Sequence, residues 1–291
     1  YLHGVNSAAI SKIRCKEEFF MLPVTKYHGC GNDFIILREE DAVGYDLNTL
    51  IPAVCDRHTG LGADGLILVR VRPLTMLFYN CDGSRAPMCG NGIRCFAKFC
   101  LDEGIIDAKQ FDVETLEGIK TVTITSRDPF FAQVAMGQAD FSPEAVGVSQ
   151  SGPVLDFPVS VEGKTVLVDS FFMSTVHTVW FVENPEDPET QRIAGLICES
   201  PLYREKTNVN MARVLDRRTL LMRTWERGVG MTLACGTGAC AAALDAYRRG
   251  YCENEVEILL PKGRLAIQID RDGGVWMSGP AERIIKGAYE I

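Results

Sequence analysis

Short runs rich in β-branched and aromatic residues recur along the chain and indicate that strands dominate the fold. Polar or glycine-containing segments separate these runs, as expected for strands joined by turns. The runs do not alternate regularly with helical patterns, so the sequence predicts a mostly antiparallel α+β fold rather than a doubly wound parallel sheet. The predicted strands cover residues 34–38, 65–71, 76–80, 120–126, 164–169, 177–182, 220–225, 256–260 and 264–270.

Two helices are predicted, each opened by a glycine-rich turn, at about residues 92–101 and 238–249. The first turn is Cys89-Gly90-Asn91-Gly92, and Cys235-Gly236-Thr237-Gly238 follows it 146 residues later (235 − 89). At the same offset, a strand that ends in an aromatic residue precedes each turn. We interpret this repeat as a duplication. It predicts two similar domains whose equivalent cysteines face each other across a cleft.

Segments without a periodic pattern indicate where the two predicted domains begin and end. Residues 1–20 show no periodic pattern, and we expect a leader or extension with little part in the fold. A passage containing proline, glycine and serine, residues 136–153, is the best candidate for a domain linker. The predicted domains are therefore residues 21–137 and 138–280.

Composition and charge restrict the class of protein. The chain has 291 residues, of which 46% are apolar, so it can bury a sizeable core. Thirty basic and 38 acidic side chains give a net charge of −8, which argues against a nucleic-acid partner or an acidic membrane partner. No run approaches the roughly 20 apolar residues that span a bilayer, and charges in the first twenty residues interrupt any signal peptide. We expect a cytoplasmic protein.

The cysteines indicate reduced thiols rather than disulfides or metal ligands. There are eleven, an odd number, and none forms a C-x-x-C pair, while the four histidines are scattered. No lysine lies in a glycine-rich, phosphate-binding context, so a pyridoxal phosphate Schiff base is not expected either. The sequence therefore predicts neither a metal nor a cofactor.

A cysteine that opens a helix lies at the positive end of the helix dipole, beside backbone N–H groups that have no partner in the helix. We expect this position to lower the pKa of the thiol towards neutrality, where it can both give and take a proton. The glycines let a ligand approach the backbone closely, and the free N–H groups bind carboxylate. Two such elements face to face would place an anion site between two thiols. A racemase needs this geometry to remove a proton from one face of a carbon and return one to the other.

Several segments resemble the signature segments of the diaminopimelate epimerase family. The similarity runs in order from about Thr25 to Ala281, and the motifs are Tyr27–Phe34, Asp56–Gly65, Met88–Gly92, Trp225–Gly228 and Ala234–Cys240. The resemblance implies a pyridoxal-phosphate-independent and metal-independent isomerase built from two similar domains. Each domain would be a β-barrel-like sheet around a central helix, with the active site in the cleft between them. The final strand, residues 281–291, would return to the first domain.

The resemblance also implies a role for each matching position. Cys89 and Cys235 would be the acid–base pair, supported by His177 and Glu226. The substrate would be a small amino acid, LL-diaminopimelate converted to the meso form for lysine and peptidoglycan-precursor synthesis. The expected substrate-binding residues are Asn32, Asn80, Gly90, Asn91, Asn208, Glu226, Arg227, Gly236 and Thr237.

One departure from the family concerns the substrate. The family commonly has Asn-Pro-His where this chain has Thr175-Val176-His177, and that Asn usually contacts the distal end of the substrate. An alternative is therefore a racemase of the same fold that acts on another amino acid, for example histidine. A second alternative is a non-catalytic, redox-responsive thiol protein. Whether the protein forms a homodimer stays open.

The site residues also have purely structural interpretations. Asn32 and Asn80 could belong to turns, Asn208 to a strand edge, Glu226 and Arg227 to a surface ion pair, and His177 to a core.

Overall fold

The computed structural model describes residues 21–290, so the predicted leader at 1–20 lies outside the described residues. Within them the fold is a sheet of seventeen strands with five α-helices. Seven strands come from the first half of the chain. They are β1 (Met21–Gly29), β2 (Asn32–Arg38), β3 (Gly65–Arg70), β4 (Thr75–Asn80), β5 (Gln110–Thr115), β6 (Gly118–Arg127) and β7 (Phe130–Gly137).

The second half supplies the other strands. They are β8 (Val154–Val161), β9 (Lys164–Phe172), β10 (Val176–Phe181), β11 (Asn208–Asp216), β12 (Thr219–Glu226), β13 (Gly230–Thr232), β14 (Glu255–Leu260), β15 (Gly263–Ile269), β16 (Val275–Pro280) and β17 (Glu282–Glu290). The helices are α1 (Leu47–Cys55), α2 (Gly90–Asp102), α3 (Pro143–Val146), α4 (Pro188–Cys198) and α5 (Gly236–Arg248).

Strand pairing shows the duplication that the sequence repeat predicts. In the first half β2 lies parallel to β3, β3 antiparallel to β4, and β4 parallel to β5. The second half repeats this order with β10, β11, β12 and β14. The helices α2 and α5 both have 13 residues and begin 146 positions apart (236 − 90). The two halves are therefore copies of one α+β arrangement, as predicted.

The end of the chain completes the first copy. Strand β17 pairs antiparallel with β1, as β8 pairs with β9 in the second half. The two copies are joined by an antiparallel pairing of β7 with β16. Strand β7 ends at Gly137, although the predicted boundary between residues 137 and 138 stays a prediction.

The repeated helices are central in their copies. Ten of the thirteen residues are buried in α2 and ten in α5, so neither helix has a wide solvent-facing side. A helix that is buried all round belongs inside a core rather than on a surface. Four alanines, at positions 239, 241, 242 and 243, keep α5 narrow enough for strands to pack closely around it.

Each of the nine predicted strands is present, with ends shifted by at most three residues. The pattern missed the helices α1 and α4, although each begins after an aspartate that caps it, Asp46 and Asp187. Pro188 at the first position of α4 was a further start signal. The predicted linker at 136–153 also contains the short helix α3. Among residues 21–290, no helix is long and apolar enough to cross a bilayer.

Candidate active site

Cys89 and Cys235 occupy the same position in the two copies, the residue that caps the central helix. Both have extended backbone conformations, with φ −132° and ψ 123° at Cys89 and φ −116° and ψ 108° at Cys235. Each Sγ accepts a hydrogen bond from the backbone N–H three residues later, Gly92 or Gly238, at 3.4 Å. The thiols therefore replace the usual hydroxyl or carboxylate of a helix cap.

The two helix starts meet each other. A side chain on Gly236 would begin 3.5 Å from the Cα of Gly90 and 3.5 Å from Oδ1 of Asn91. Met277 of β16 packs on both starts, and a Cβ at Gly90 would lie only 2.7 Å from its Cε. Glycine at both positions thus allows the two helix N-termini to approach one point. The N–H groups that the first turn of each helix leaves free are brought there together.

Asn91 links the two starts. Its Nδ2 donates to the carbonyl of Ala234, which directly precedes Cys235, at 3.1 Å. The same nitrogen donates to Oδ1 of Asn32, also at 3.1 Å. That oxygen lies 3.6 Å from the Sγ of Cys89. Asn32 and Asn91 therefore contact the first thiol and connect it to the second copy.

A charged cluster holds Asn32 in this orientation. Asp64 accepts from the Nδ2 of Asn32 at 2.6 Å, which turns the oxygen of that amide towards Cys89. Arg57 donates to Asp64 at 2.7 Å and to both oxygens of Asp33, at 2.8 and 3.2 Å. The sequence reasoning assigned no role to Arg57 or Asp64, although both lie in the second signature segment.

Asn80 lies beside the start of β3, next to the charged cluster, but its side chain bonds to a different group. It ends β4 opposite Gly65, the residue after Asp64. Its Nδ2 donates to the hydroxyl of Ser84 at 2.9 Å, within the turn that follows the strand. A contact between Asn80 and a substrate stays a prediction.

His177 starts a hydrogen-bonded chain that ends at the second thiol. Asn210 Nδ2 donates to Nδ1 of the imidazole at 3.1 Å and to the carbonyl of Thr178 at 3.2 Å. Because Nδ1 accepts, the proton is on Nε2, which donates to the hydroxyl of Thr237 at 2.9 Å. That hydroxyl lies 3.5 Å from the Sγ of Cys235. His177 is therefore connected to this thiol through Thr237, and it is fully buried.

Asn210 was missed by the sequence reasoning, although a signal was present. Asn208 and Asn210 are two residues apart at the start of β11, and alternate residues of a strand face the same side. Both side chains are buried.

Glu226 lies beside the second thiol. Its Oε1 accepts from the hydroxyl of Thr232 at 2.6 Å. Burial raises the pKa of this carboxyl above its ordinary value, although hydrogen bonds from Thr232 and Cys235 act in the opposite direction. A half-buried carboxylate that has no cation beside it among residues 21–290 is suited to accept a ligand ammonium group.

Arg227 is held by its neighbours in the second copy. Its backbone N–H donates to Oδ1 of Asn208 at 2.9 Å. Its guanidinium donates to the carbonyl of Glu205 at 3.1 Å and to the hydroxyl of Thr175 at 2.9 Å. Within residues 21–290 these two bonds leave three of its five N–H donors for a ligand carboxylate. Thr175 therefore orients Arg227 directly.

The expected lowering of the thiol pKa values is wrong for the site as it stands. Burial raises the pKa of Cys89 to about 11, against the effect of the N–H groups of Gly92 and Asn91. Burial also raises the pKa of Cys235 well above its ordinary value, and the negative charge of Glu226 adds to this. A helix N-terminus stabilises an anion by about 0.3–2 kcal/mol, which corresponds to at most about 1.5 pKa units. At both cysteines the loss of solvation around the thiolate is larger than this effect.

The described residues contain no group of three or more His, Cys, Asp or Glu side chains that could hold a metal ion.

The same fold occurs in solved racemases and epimerases. A hydroxyproline epimerase from Agrobacterium vitis aligns with a TM-score of 0.68 and 14% identity, over 93% of this chain and 92% of that one. A probable proline racemase from Agrobacterium radiobacter gives a TM-score of 0.67, with 14% identity and 92% of each chain covered. The chain therefore has the two-domain fold of these epimerases and racemases.

The sequence then gives the family. Residues 24–142 and 171–284 match the diaminopimelate epimerase family. The diaminopimelate epimerase of Alkaliphilus metalliredigens is 38% identical over 271 residues, which cover 91% of this chain and 96% of the relative. That of Desulfitobacterium hafniense is 39% identical over 275 residues, 91% of this chain and 97% of the relative. The chain belongs to the diaminopimelate epimerase family and is an isomerase.

The hydrogen bonds of His177 give a prediction for its charge. Burial, helped by the positive charge of Arg227, lowers the pKa of the imidazole to about 3. It should therefore stay neutral between pH 5 and pH 9, with the proton on Nε2. NMR of ¹⁵N-labelled enzyme should show one protonated and one unprotonated ring nitrogen, with shifts that do not change over this range. Titration of His177 near pH 6.5 would contradict the assignment.

Proposed function

We propose that this protein interconverts LL-diaminopimelate and meso-diaminopimelate, with Cys89 and Cys235 as the acid–base pair. The observation that carries the proposal is the meeting of two cysteine-capped helix starts at one point. The names of the relatives support diaminopimelate as the substrate. A reaction on this substrate would belong to lysine and peptidoglycan-precursor synthesis. A cytoplasmic location and a homodimer stay predictions.

The substrate carboxylate next to the reacting carbon would bind between the helix starts. It would accept hydrogen bonds from the backbone N–H groups of Gly90, Asn91, Gly236 and Thr237, and both helix dipoles favour an anion. Electrons released from the breaking C–H bond move onto this carboxylate, where the same N–H groups stabilise the added charge. The carboxylate is the electron sink and the N–H groups stabilise its charge, so the proposed reaction uses no cofactor.

Each thiol serves one face of the carbon. One cysteine, as thiolate, takes the α-proton and becomes a thiol, while the other thiol gives its proton to the opposite face and becomes a thiolate. The net result inverts the carbon and exchanges the protonation states of the two cysteines. The reverse reaction uses the same pair with the roles reversed.

Substrate binding would also lower the pKa values of the two thiols. The negative charge of Glu226 raises the pKa of both Cys89 and Cys235 in the free site. A substrate ammonium group against Glu226 would offset this charge and make a thiolate easier to form. The chain from His177 through Thr237 would supply a donor to the Cys235 sulfur. Reactive thiolate would therefore form mainly when substrate is bound.

The central test replaces each thiol by a hydroxyl, which is a far weaker base near neutral pH. Cys89→Ser and Cys235→Ser should each lower kcat for epimerisation by about 10³-fold. The measurement is deuterium incorporation at the α-carbon of diaminopimelate in D₂O. Cys81→Ser, which changes an exposed thiol, is the matched control and should keep its activity. Ordinary turnover in either catalytic-site variant would refute the pairing.

A substrate panel separates this function from the alternative within the same fold. Diaminopimelate should exchange its α-proton fastest. Histidine and lysine should exchange slowly, because neither has a second carboxylate at its distal end to bind Arg227. Faster exchange with histidine would favour the other racemase. Family membership sets aside the non-catalytic thiol protein.

Thr175 gives a prediction for the distal end of the substrate. Thr175→Ala removes the acceptor that orients Arg227, so the KM for diaminopimelate should rise about tenfold while kcat changes less than about twofold. Thr165→Ala, an exposed threonine on β9, is the control. Equal loss of kcat, or no change in KM, would show that Arg227 does not bind the distal carboxylate through this arrangement.

A further inference from the structure

Arg94, one turn into helix α2, is completely buried. Its guanidinium donates to the carbonyl of Gly90 and to Oδ1 of Asn91, both at 2.9 Å. It also donates to the carbonyl of Pro280 at 3.2 Å and contacts the sulfur of Met277. The side chain therefore lies directly behind the place where the two helix starts meet.

Two glycines make room for this guanidinium. A Cβ on Gly29 of β1 would lie 3.0 Å from Nη2 of Arg94. A Cβ on Gly279 of β16 would lie 3.0 Å from Nε and 3.1 Å from Cζ. Strands from both copies thus leave space for one arginine, which indicates a specific position rather than a side chain trapped by chance.

The acceptors around Arg94 are carbonyl, amide and thioether groups, and among residues 21–290 it forms no ion pair. Arginine is charged at every pH that proteins experience, and a buried charge is normally paired with an opposite one. The site thus contains a positive charge that neutral dipoles solvate but do not cancel. This charge acts to lower the pKa of Cys89, against its burial and the charge of Glu226.

We propose that Arg94 is a positioning residue whose unpaired charge stabilises the anions of the reaction, the substrate carboxylate at the helix starts and the thiolate of Cys89. The inference rests on the proposed acid–base role of the thiols. Its first part is electrostatic: the anion that balances Arg94 arrives with the substrate. The guanidinium acts from behind the backbone and does not touch the reacting atoms.

The second part is orientation. Arg94 can only donate hydrogen bonds, so the side chain of Asn91 must turn its oxygen to the guanidinium. The nitrogen of Asn91 is then directed to Asn32 and to the carbonyl of Ala234. One buried arginine thereby fixes the amide that joins the two copies at the site.

The test compares two thiol reagents of similar size in the free, reduced enzyme. Iodoacetamide is neutral, whereas iodoacetate carries a carboxylate, and mass spectrometry gives the rate at which each labels Cys89. In the neutral variants Arg94→Met and Arg94→Gln, the ratio of the iodoacetate rate to the iodoacetamide rate should fall at least about fivefold. The iodoacetamide rate at pH 8 should itself fall about threefold, because less thiolate is present.

The controls separate charge from structure. Arg94→Lys keeps the charge, so its reagent ratio should stay within about twofold of wild type, although it cannot make all the hydrogen bonds of the guanidinium. Arg127→Gln removes an arginine that pairs with Asp107 at the surface, and should change nothing. An unchanged reagent ratio in folded Arg94→Met would overturn the proposal. So would failure of both neutral variants to fold while Arg94→Lys folds, since the role of the charge would then be structural.

Epimerisation kinetics complete the test. The neutral variants should lose about 100-fold in kcat, and Arg94→Lys less than about tenfold. The labelling experiment uses no substrate, so it is independent of the proposed function. If Cys89→Ser kept full activity, the proposed function would fail while the labelling result could still stand. If labelling were insensitive to Arg94 while Cys89→Ser was inactive, only the role of Arg94 would fail.

Discussion

The opposition of two helix N-termini is the constraint on which the rest of this structure depends. Helix starts repel one another electrostatically, because each carries partial positive charge and N–H groups without partners. Here glycine at positions 90 and 236 permits the approach, and Asn91 bridges the starts through the carbonyl of Ala234. Arg94 adds a full positive charge behind them. In the proposed mechanism an anion, the substrate carboxylate, completes this arrangement.

The enclosing fold explains why burial dominates the chemistry of the thiols. Each central helix is surrounded by strands, and the β7–β16 pairing closes the two copies against each other. The resulting environment raises the pKa values of Cys89 and Cys235 although both cap helices. This buried environment has a low dielectric constant, which would also strengthen the charge interactions of a bound substrate. In the proposed mechanism, a thiol that forms little thiolate in the free site becomes more reactive when a substrate ammonium group offsets the charge of Glu226.

The sequence was most informative where local pattern and chemistry coincide. The C-G-x-G repeat predicted two equivalent helices with a thiol at each start, because such a turn needs only neighbouring residues. It could not predict Arg94 as a site residue, since an arginine on a helix is normally solvent-exposed and its burial here depends on Gly29 and Gly279, far away in sequence. Strand β17 has no clear alternation, because nearly all its side chains are exposed. The predicted lowering of the thiol pKa values was wrong because the sequence shows only the local effect, the position at a helix start. The larger effect, desolvation, depends on residues that are distant in sequence.

The most direct test of this account is a crystal structure of the Cys89→Ala variant with diaminopimelate bound. We expect one substrate carboxylate to accept hydrogen bonds at about 2.9 Å from backbone N–H groups of both helix starts. The α-carbon beside it should lie between Cys235 and position 89, with the two side chains on opposite faces. A carboxylate bound away from the helix starts, or both side chains on one face of the carbon, would contradict the account.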